Sequence, residues 1–258
     1  MTEKDALAAP RRVAQRDVSD IAREWDRLAG ERHRQVEQGL DLSFSRVVAP
    51  TALALLGECP VDVALDVGAG TGHFSRMLIR RARQVVAIEP SAVSLDLART
   101  LCADEAGIRF VHGTLEQACT RGQVPLADAA LAIMVLSSVP DLDGFAHALA
   151  GRLRPGAPFI ATLPHPVFWS HYWGYADEPW FQYSEEQFVE ATFRIAQAQT
   201  GCRATHVHRP LNRYVNGLHA AGFRLERIEE PMPPEDVARA YPEPWRVPRF
   251  LALRWVRA

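Results

Sequence analysis

The run Asp66-Val67-Gly68-Ala69-Gly70-Thr71-Gly72 is the part of this 258-residue chain whose residue types and spacing point most directly to chemistry. A short apolar stretch leads into it, and an amphipathic stretch from His73 leads out. A strand that ends in glycines and opens a helix brings backbone N–H groups close to a ligand. Glycine permits the tight turn and has no Cβ to hold the ligand off. A dinucleotide-binding loop carries glycines at its first, third and sixth positions. Here His73 takes the sixth position, Gly72 stands one place earlier, and Asp66 precedes the first glycine by two residues. That carboxylate disfavours a pyrophosphate and favours a cation.

The second chemically loaded stretch is HPVFWSHYWGYADEPWFQYS, His165 to Ser184. Phe168, Trp169, Tyr172, Trp173, Tyr175, Trp180, Phe181 and Tyr183 put eight aromatic rings in 20 positions, beside His165 and His171. No strand or helix period runs through it, so it reads as a loop. Aromatic faces bury a flat ligand and stabilise a cation by about 0.5–2 kcal/mol per good contact. The same rings also suit a satellite core under a long loop, or a dimer contact.

The elements that must hold these stretches alternate. Apolar strands read as VDVALDV, QVVAIEP, IRFVHG, DAALAIMVLSS and PFIATLP; amphipathic helices lie between several of them, one with Ser91 as N-cap. Such alternation predicts a parallel sheet covered by helices on both faces. Upstream, Val18, Ile21, Trp25, Leu28 and Val36 share one helix face, and Pro50 kinks or splits a second helix. Residues 1–15 read as a loose tail. Downstream, residues 184–201 read as a helix, 211–223 as another, and RLERIEEP and PRFLALRWVRA as two strands that pair antiparallel at one edge of the sheet. The expected fold class is α/β, a Rossmann-like doubly wound seven-stranded sheet, mostly parallel with the last strand antiparallel. Residues 1–57 form a tail and helical lid; residues 58–258 form the main domain, with an insertion at 165–205.

Composition narrows the function classes. The chain is 48% hydrophobic and 23% charged with a net charge of −2, as expected of a globular protein without a nucleic-acid footprint. It has no apolar run long enough to span a membrane, and its N-terminal stretch shows no apolar h-region, so secretion is not expected. Cys59, Cys102, Cys119 and Cys202 form no metal-binding spacing, and reduced, buried thiols are expected. A cytoplasmic protein without a metal or membrane partner follows, either monomer or homodimer.

On the (D/E)xGxGxG pattern of Asp66 to Gly72, the sequence resembles the class I S-adenosylmethionine-dependent methyltransferases, well over about residues 60–165. The resemblance implies S-adenosyl-L-methionine as cofactor, with Asp66, Gly68, Ala69, Gly70 and Gly72 around it. It implies that Glu89, followed by Pro90, accepts bonds from the ribose hydroxyls. The HGTLEQA loop would flank the adenine. Thr114 stands where an acid is usual there, leaving Glu116 or backbone groups at Leu115 to meet the amino group. Val135 and Leu136, in MVLSSVPDL, would lie near the methyl donor.

The nucleobase-amine branch carries (N/D)PP(Y/F/W) after the fourth strand, whereas this chain reads Leu136-Ser137-Ser138-Val139-Pro140. It resembles instead the small-molecule branch that includes quinone-biosynthesis and secondary-metabolite enzymes. An RNA-nucleoside or protein methyltransferase and a non-methylating S-adenosylmethionine-binding member are the alternatives. A hydroxyl acceptor needs a base, and histidine titrates in the right range. His165 and His171 are the candidates, at the carboxyl end of the fifth strand, with a structural role as the rival reading of each. Trp25, Phe44, Phe168, Trp169, Tyr172, Trp173 and His208 are the candidate walls of a pocket for a small aromatic or hydrophobic acceptor. His206 is a weaker candidate, and Arg209 reads as a solvent-facing charge at a helix start.

Overall fold

The computed structural model describes residues 9–58, 61–195 and 198–258. Seven strands form the main sheet: β2 (Val61–Val67), β3 (Ala82–Glu89), β4 (Ile108–His112), β5 (Ala129–Ile133), β6 (Pro158–Pro164), β9 (Phe223–Glu229) and β10 (Phe250–Arg257). Their order is β4-β3-β2-β5-β6-β10-β9. Neighbours among β2 to β6 run parallel; β10 is antiparallel to both β6 and β9. The expected seven strands and antiparallel edge pair are therefore present. The chain reverses its direction of travel across the sheet between β2 and β5, and ligands in such sheets bind beyond the strand ends at that switch point. The glycine run ends β2, and residues 134–138 end β5, so both border it.

Successive strand residues serve opposite faces. Leu65, Val67, Val86, Ile88, Phe159 and Trp255 join one core with α6 (Leu142–Ala150) and α8 (Leu211–Ala220). Ala64, Val85, Leu131 and Ile160 join the other with α2 (Ala49–Leu56) and α3 (His73–Leu78). Phe159 and Trp255 stack at 5.5 Å where β6 meets β10. The helix expected after β3 is α4 (Ala92–Leu101), with the Ser91 hydroxyl accepting from the Ser94 N–H. A short α5 (Leu115–Thr120), not anticipated, follows β4.

The N-terminal helix α1 (Val18–Glu37) opens on an Asp17–Asp20 capping box and buries Ile21, Leu28 and Ala29. The next helical run is continuous through Pro50, with a π turn at Phe44–Val48 leading into α2, so Pro50 does not split it. Two expectations fail. Within residues 9–15, the tail holds a strand, β1 (Arg11–Val13). The stretch read as a helix at 184–201 is instead mostly β-strand: β7 (Gln187–Ile195) and β8 (Ala198–His208). Together they make a second sheet, β1-β7-β8, antiparallel throughout. β-Branched and aromatic residues at Phe188, Val189, Thr192, Phe193 and Ile195 favour the pleated form. Glu190 ties the sheet together, pairing with Arg11 (2.7 Å) and Arg203 (2.8 Å).

This small sheet and α1 form one cap. Glu24 of α1, buried, accepts from the Thr205 N–H (2.7 Å) and hydroxyl (2.9 Å) on β8. Asp26 accepts from the Ser91 hydroxyl (2.6 Å) and the Val93 N–H (3.1 Å) at the start of α4. The N-terminal lid and the insertion after β6 are thus joined over the ligand edge of the main sheet. Among the described residues Cys102, Cys119 and Cys202 are free thiols, though only Cys102 is buried; Cys59 lies outside them. No described helix is long and apolar enough to cross a membrane.

Candidate active site

A cavity of about 820 Å³ opens between the main sheet and the cap. One end is formed by Asp66 to Thr71, Glu89, Pro90, Gly113 to Glu116 and Val135. The other is formed by Trp25, Phe44, Trp169, Tyr172, Trp173, Phe193, His206, Arg249 and Phe250. Its size and mainly apolar lining suit a pair of small organic ligands.

At the first end the loop geometry follows from its glycines. Gly68, Gly70 and Gly72 all have positive φ (73°, 54° and 85°), which side-chain-bearing residues rarely adopt. A Cβ on Gly70 would project into open space. Gly72 serves packing instead: its Cβ would lie 2.9 Å from Ala98 Cβ on α4. Asp66 is fully buried and accepts from the Ser75 hydroxyl (2.6 Å). Burial raises its pKa to about 6, against the Ser75 bond. Glu89 accepts from the Gly70 N–H (2.8 Å) and the Ser91 N–H (2.7 Å). Burial raises it to about 7, those two N–H groups pull it down, and Asp66 and Asp26 push it further up.

The residues expected around the adenine divide. Thr114 caps α5: its hydroxyl accepts from Gln117 N–H and its own N–H donates to the Gln117 side chain. That side chain is committed to the helix, whereas Glu116 lines the cavity. After β5, Val135 and Ser137 line the cavity, but Leu136 turns into the core and is fully buried. Met134 lies between β5 and Val135 with φ 62°, the one described non-glycine residue at positive φ. Its N–H is held by the Thr162 carbonyl (2.8 Å) and hydroxyl (3.1 Å). Strained backbone of this kind persists where its surroundings over-determine it.

The acceptor candidates also divide. Trp25, Phe44, Trp169, Tyr172 and Trp173 line the cavity; Phe168 does not, and packs on the His165 ring instead (4.6 Å). His165 is buried behind the wall. The Val167 N–H donates to its Nδ1 (3.2 Å), so Nε2 carries the proton and donates to Glu230 (2.8 Å). Both ring nitrogens are occupied, which corrects its assignment as a base. His171 is exposed and outside the cavity lining, because the short helix α7 (Trp169–Trp173) turns it outward while Trp169, Tyr172 and Trp173 face in. His208 is buried with Nε2 bonded to the Tyr183 carbonyl (3.0 Å), also off the cavity. The rest of the aromatic stretch is a satellite core: Tyr175 is buried against Trp180 and Phe181.

Two histidines do line the cavity. His73 is bonded through both nitrogens, to Thr71 Oγ1 and Glu37, each at 2.9 Å. His206 sits 3.0 Å from the Tyr175 hydroxyl through Nε2, and burial lowers its pKa to about 3. Arg209 is the largest departure from expectation. It is fully buried and binds the carbonyls of Leu136 (3.0 Å), Val139 (2.7 Å) and Pro140 (2.9 Å) as well as Glu186 (2.7 Å).

Sheet order, glycine loop and buried carboxylates together resemble those of the class I S-adenosylmethionine-dependent methyltransferases. Residues 65–161 match the family model described as a methyltransferase domain. The chain is similar to the malonyl-[acyl-carrier protein] O-methyltransferase of Serratia marcescens, at 30% identity over 63% of this chain and 60% of that one. It is similar to the ubiquinone biosynthesis O-methyltransferase of Methylocella silvestris, at 33% identity over 38% of this chain and 39% of that one. The chain thus spans 60% or less of the length of these relatives. The fold is also that of the Burkholderia thailandensis 1,6-didemethyltoxoflavin-N1-methyltransferase, with a TM-score of 0.62 at 17% identity, covering 97% of this chain and 94% of that one.

Proposed function

We propose that the chain transfers the methyl group of S-adenosyl-L-methionine to a small molecule held in the aromatic end of the cavity. The observation that carries this reading is the continuity of that cavity, from the Gly68–Gly70 loop and Glu89 to Trp169, Tyr172 and Trp173. The residues present fit the cofactor. Asp66 and Glu89 are buried carboxylates whose charged forms lack a counter-ion, and a cationic ligand with hydroxyl donors supplies what they lack. Gly70 leaves open space where a side chain would intrude.

When bound, the cofactor supplies a methyl group already activated on a sulfonium. The protein's part is to align the acceptor and exclude water, which supplies up to about 7–11 kcal/mol in well-oriented systems. In this reading Glu89 holds the ribose, Glu116 meets the adenine, and Val135 and Ser137 border the reacting end. The cap formed by α1 and the β1-β7-β8 sheet encloses the acceptor, which favours a small molecule over a polynucleotide. Titration with S-adenosyl-L-methionine and with S-adenosyl-L-homocysteine tests the proposal. Binding of both, and conversion of S-adenosyl-L-methionine to S-adenosyl-L-homocysteine on adding a small-molecule acceptor pool, is expected. Failure to bind either removes it.

A further inference from the structure

Resting on that reading, we infer that the methyl acceptor carries a carboxylate, which Arg249 recognises at the aromatic end of the cavity. Arg16, Arg32, Arg194 and Arg249 are the arginines of the cavity wall. Arg16 pairs with Glu190 (3.4 Å) and Arg32 with Asp41 (2.8 Å). Arg194 and Arg249 form no ion pair with any carboxylate of the described residues. Arg194 donates to the Tyr172 carbonyl (3.0 Å), and Arg249 reaches only the Glu243 carbonyl, at 3.5 Å.

Arg249 is 8% exposed, unusual for a cation without a counter-ion. Its guanidinium is fixed by stacking, 4.0 Å from the Tyr172 ring centre, 4.6 Å from Trp245 and 5.6 Å from Tyr241. Stacking holds a guanidinium plane without using its N–H fork, which stays free for a bidentate carboxylate. Burial works first against its charge and Arg194 adds to it, while Tyr172, Tyr241 and Glu243 act the other way. An anion between the two arginines relieves both. Arg249 precedes β10, whose antiparallel course brings that end beside Pro164, at the ligand edge of the sheet. The cavity therefore has carboxylates at its cofactor end and unpaired arginines at the other. The histidines agree: His73 is tied at both nitrogens and His206 is a poor base, as suits an acceptor that arrives anionic.

The test is calorimetric titration of the protein saturated with S-adenosyl-L-homocysteine, using benzoate, cinnamate and adipate, each beside its primary amide. At least one acid should bind about tenfold or more tightly than its amide, the discrimination expected when a buried polar partner is lost. Arg249→Gln should erase that preference while S-adenosyl-L-homocysteine affinity stays within about twofold, which also reports a folded site. Arg249→Lys, which keeps the charge, should retain part of the preference. Equal binding of acids and amides, no binding of any acid, or an undiminished preference in Arg249→Gln overturns the inference. A protein that does not bind S-adenosyl-L-homocysteine at all instead removes the methyl-transfer reading beneath it.

Discussion

Arg209 and Glu186 form an ion pair at 2.7 Å in which the guanidinium is wholly buried and the carboxylate half-exposed. The same guanidinium donates to three carbonyls of the loop after β5. It therefore joins that loop, at the cofactor end of the cavity, to the start of the β7 hairpin in the cap. Arg209→Ala leaves those carbonyls and Glu186 without their donor and should cost about 3 kcal/mol of stability. Thermal denaturation should show a melting point lower by roughly 6–12 °C. Glu186→Gln, at a half-exposed position, should cost much less. A melting point unchanged in Arg209→Ala would show that the loop is held by other means.

In the proposed reading, Glu89 and Asp66 make cofactor binding pH-dependent. Burial raises both, to about 7 and about 6, so the folded protein holds protons there that the unfolded chain gives up near pH 4. The stability these groups contribute is present in acid and is lost as pH rises through those values. A cationic ligand reverses the balance by favouring the ionised pair. The melting-point increase produced by S-adenosyl-L-methionine should therefore grow between about pH 5 and about pH 8. Glu89→Gln should flatten that profile and weaken binding by about 1–3 kcal/mol. A pH-independent shift in the unaltered protein would contradict this assignment.

The glycine loop, the alternation of strands and helices and the carboxylates at positions 66 and 89 were legible in the sequence because each rests on local spacing. The cap was not. Residues 184–201 are rich in Glu, Gln and Ala, which favour helix when read alone. Residues 187–195 became strand because Val189 and Ala191 bury on one face and because β1, far upstream, supplies an edge to pair with. Propensity does not report such long-range pairing. The histidines misled for a related reason: His165 does lie at the strand end, but the Val167 N–H and Glu230 claim its ring. Arg249 had a usable signal. A residue preceding the antiparallel last strand must emerge where the parallel strands end, which is the ligand edge.

Gly72 separates two explanations for the third glycine of the loop. If it served ligand approach, as proposed for Gly70, a methyl group there would act on the cofactor. Its Cβ would instead meet Ala98 Cβ at 2.9 Å and Ala98 Cα at 3.0 Å, with φ at 85°. Gly72→Ala should thus destabilise the fold by about 1–3 kcal/mol through strain and overpacking. Cofactor affinity, measured on the folded fraction below the transition, should change little. Loss of affinity with unchanged stability would assign Gly72 to the ligand instead.

Glu24 is the latch that holds α1 against β8. Both its oxygens are used, one by the Thr205 N–H at 2.7 Å and one by its hydroxyl at 2.9 Å, in a buried site with no cation bonded to it among the described residues. Thr205 and the neighbouring Trp25 both line the cavity, so the latch fixes the wall that faces the acceptor. Glu24→Gln keeps one acceptor oxygen and replaces the other with an amide that cannot accept. It should weaken the latch by about 1–2 kcal/mol. In the proposed reading the cofactor is held chiefly by the loops of the main sheet, so its affinity should fall little. The acceptor needs the closed wall, so KM for it should rise by more than the cofactor Kd does. Hydrogen exchange should quicken in α1 and β8 and stay unchanged in β2 and β3. Equal increases in both constants would mean that α1 belongs to the cofactor site rather than to the cap over the acceptor.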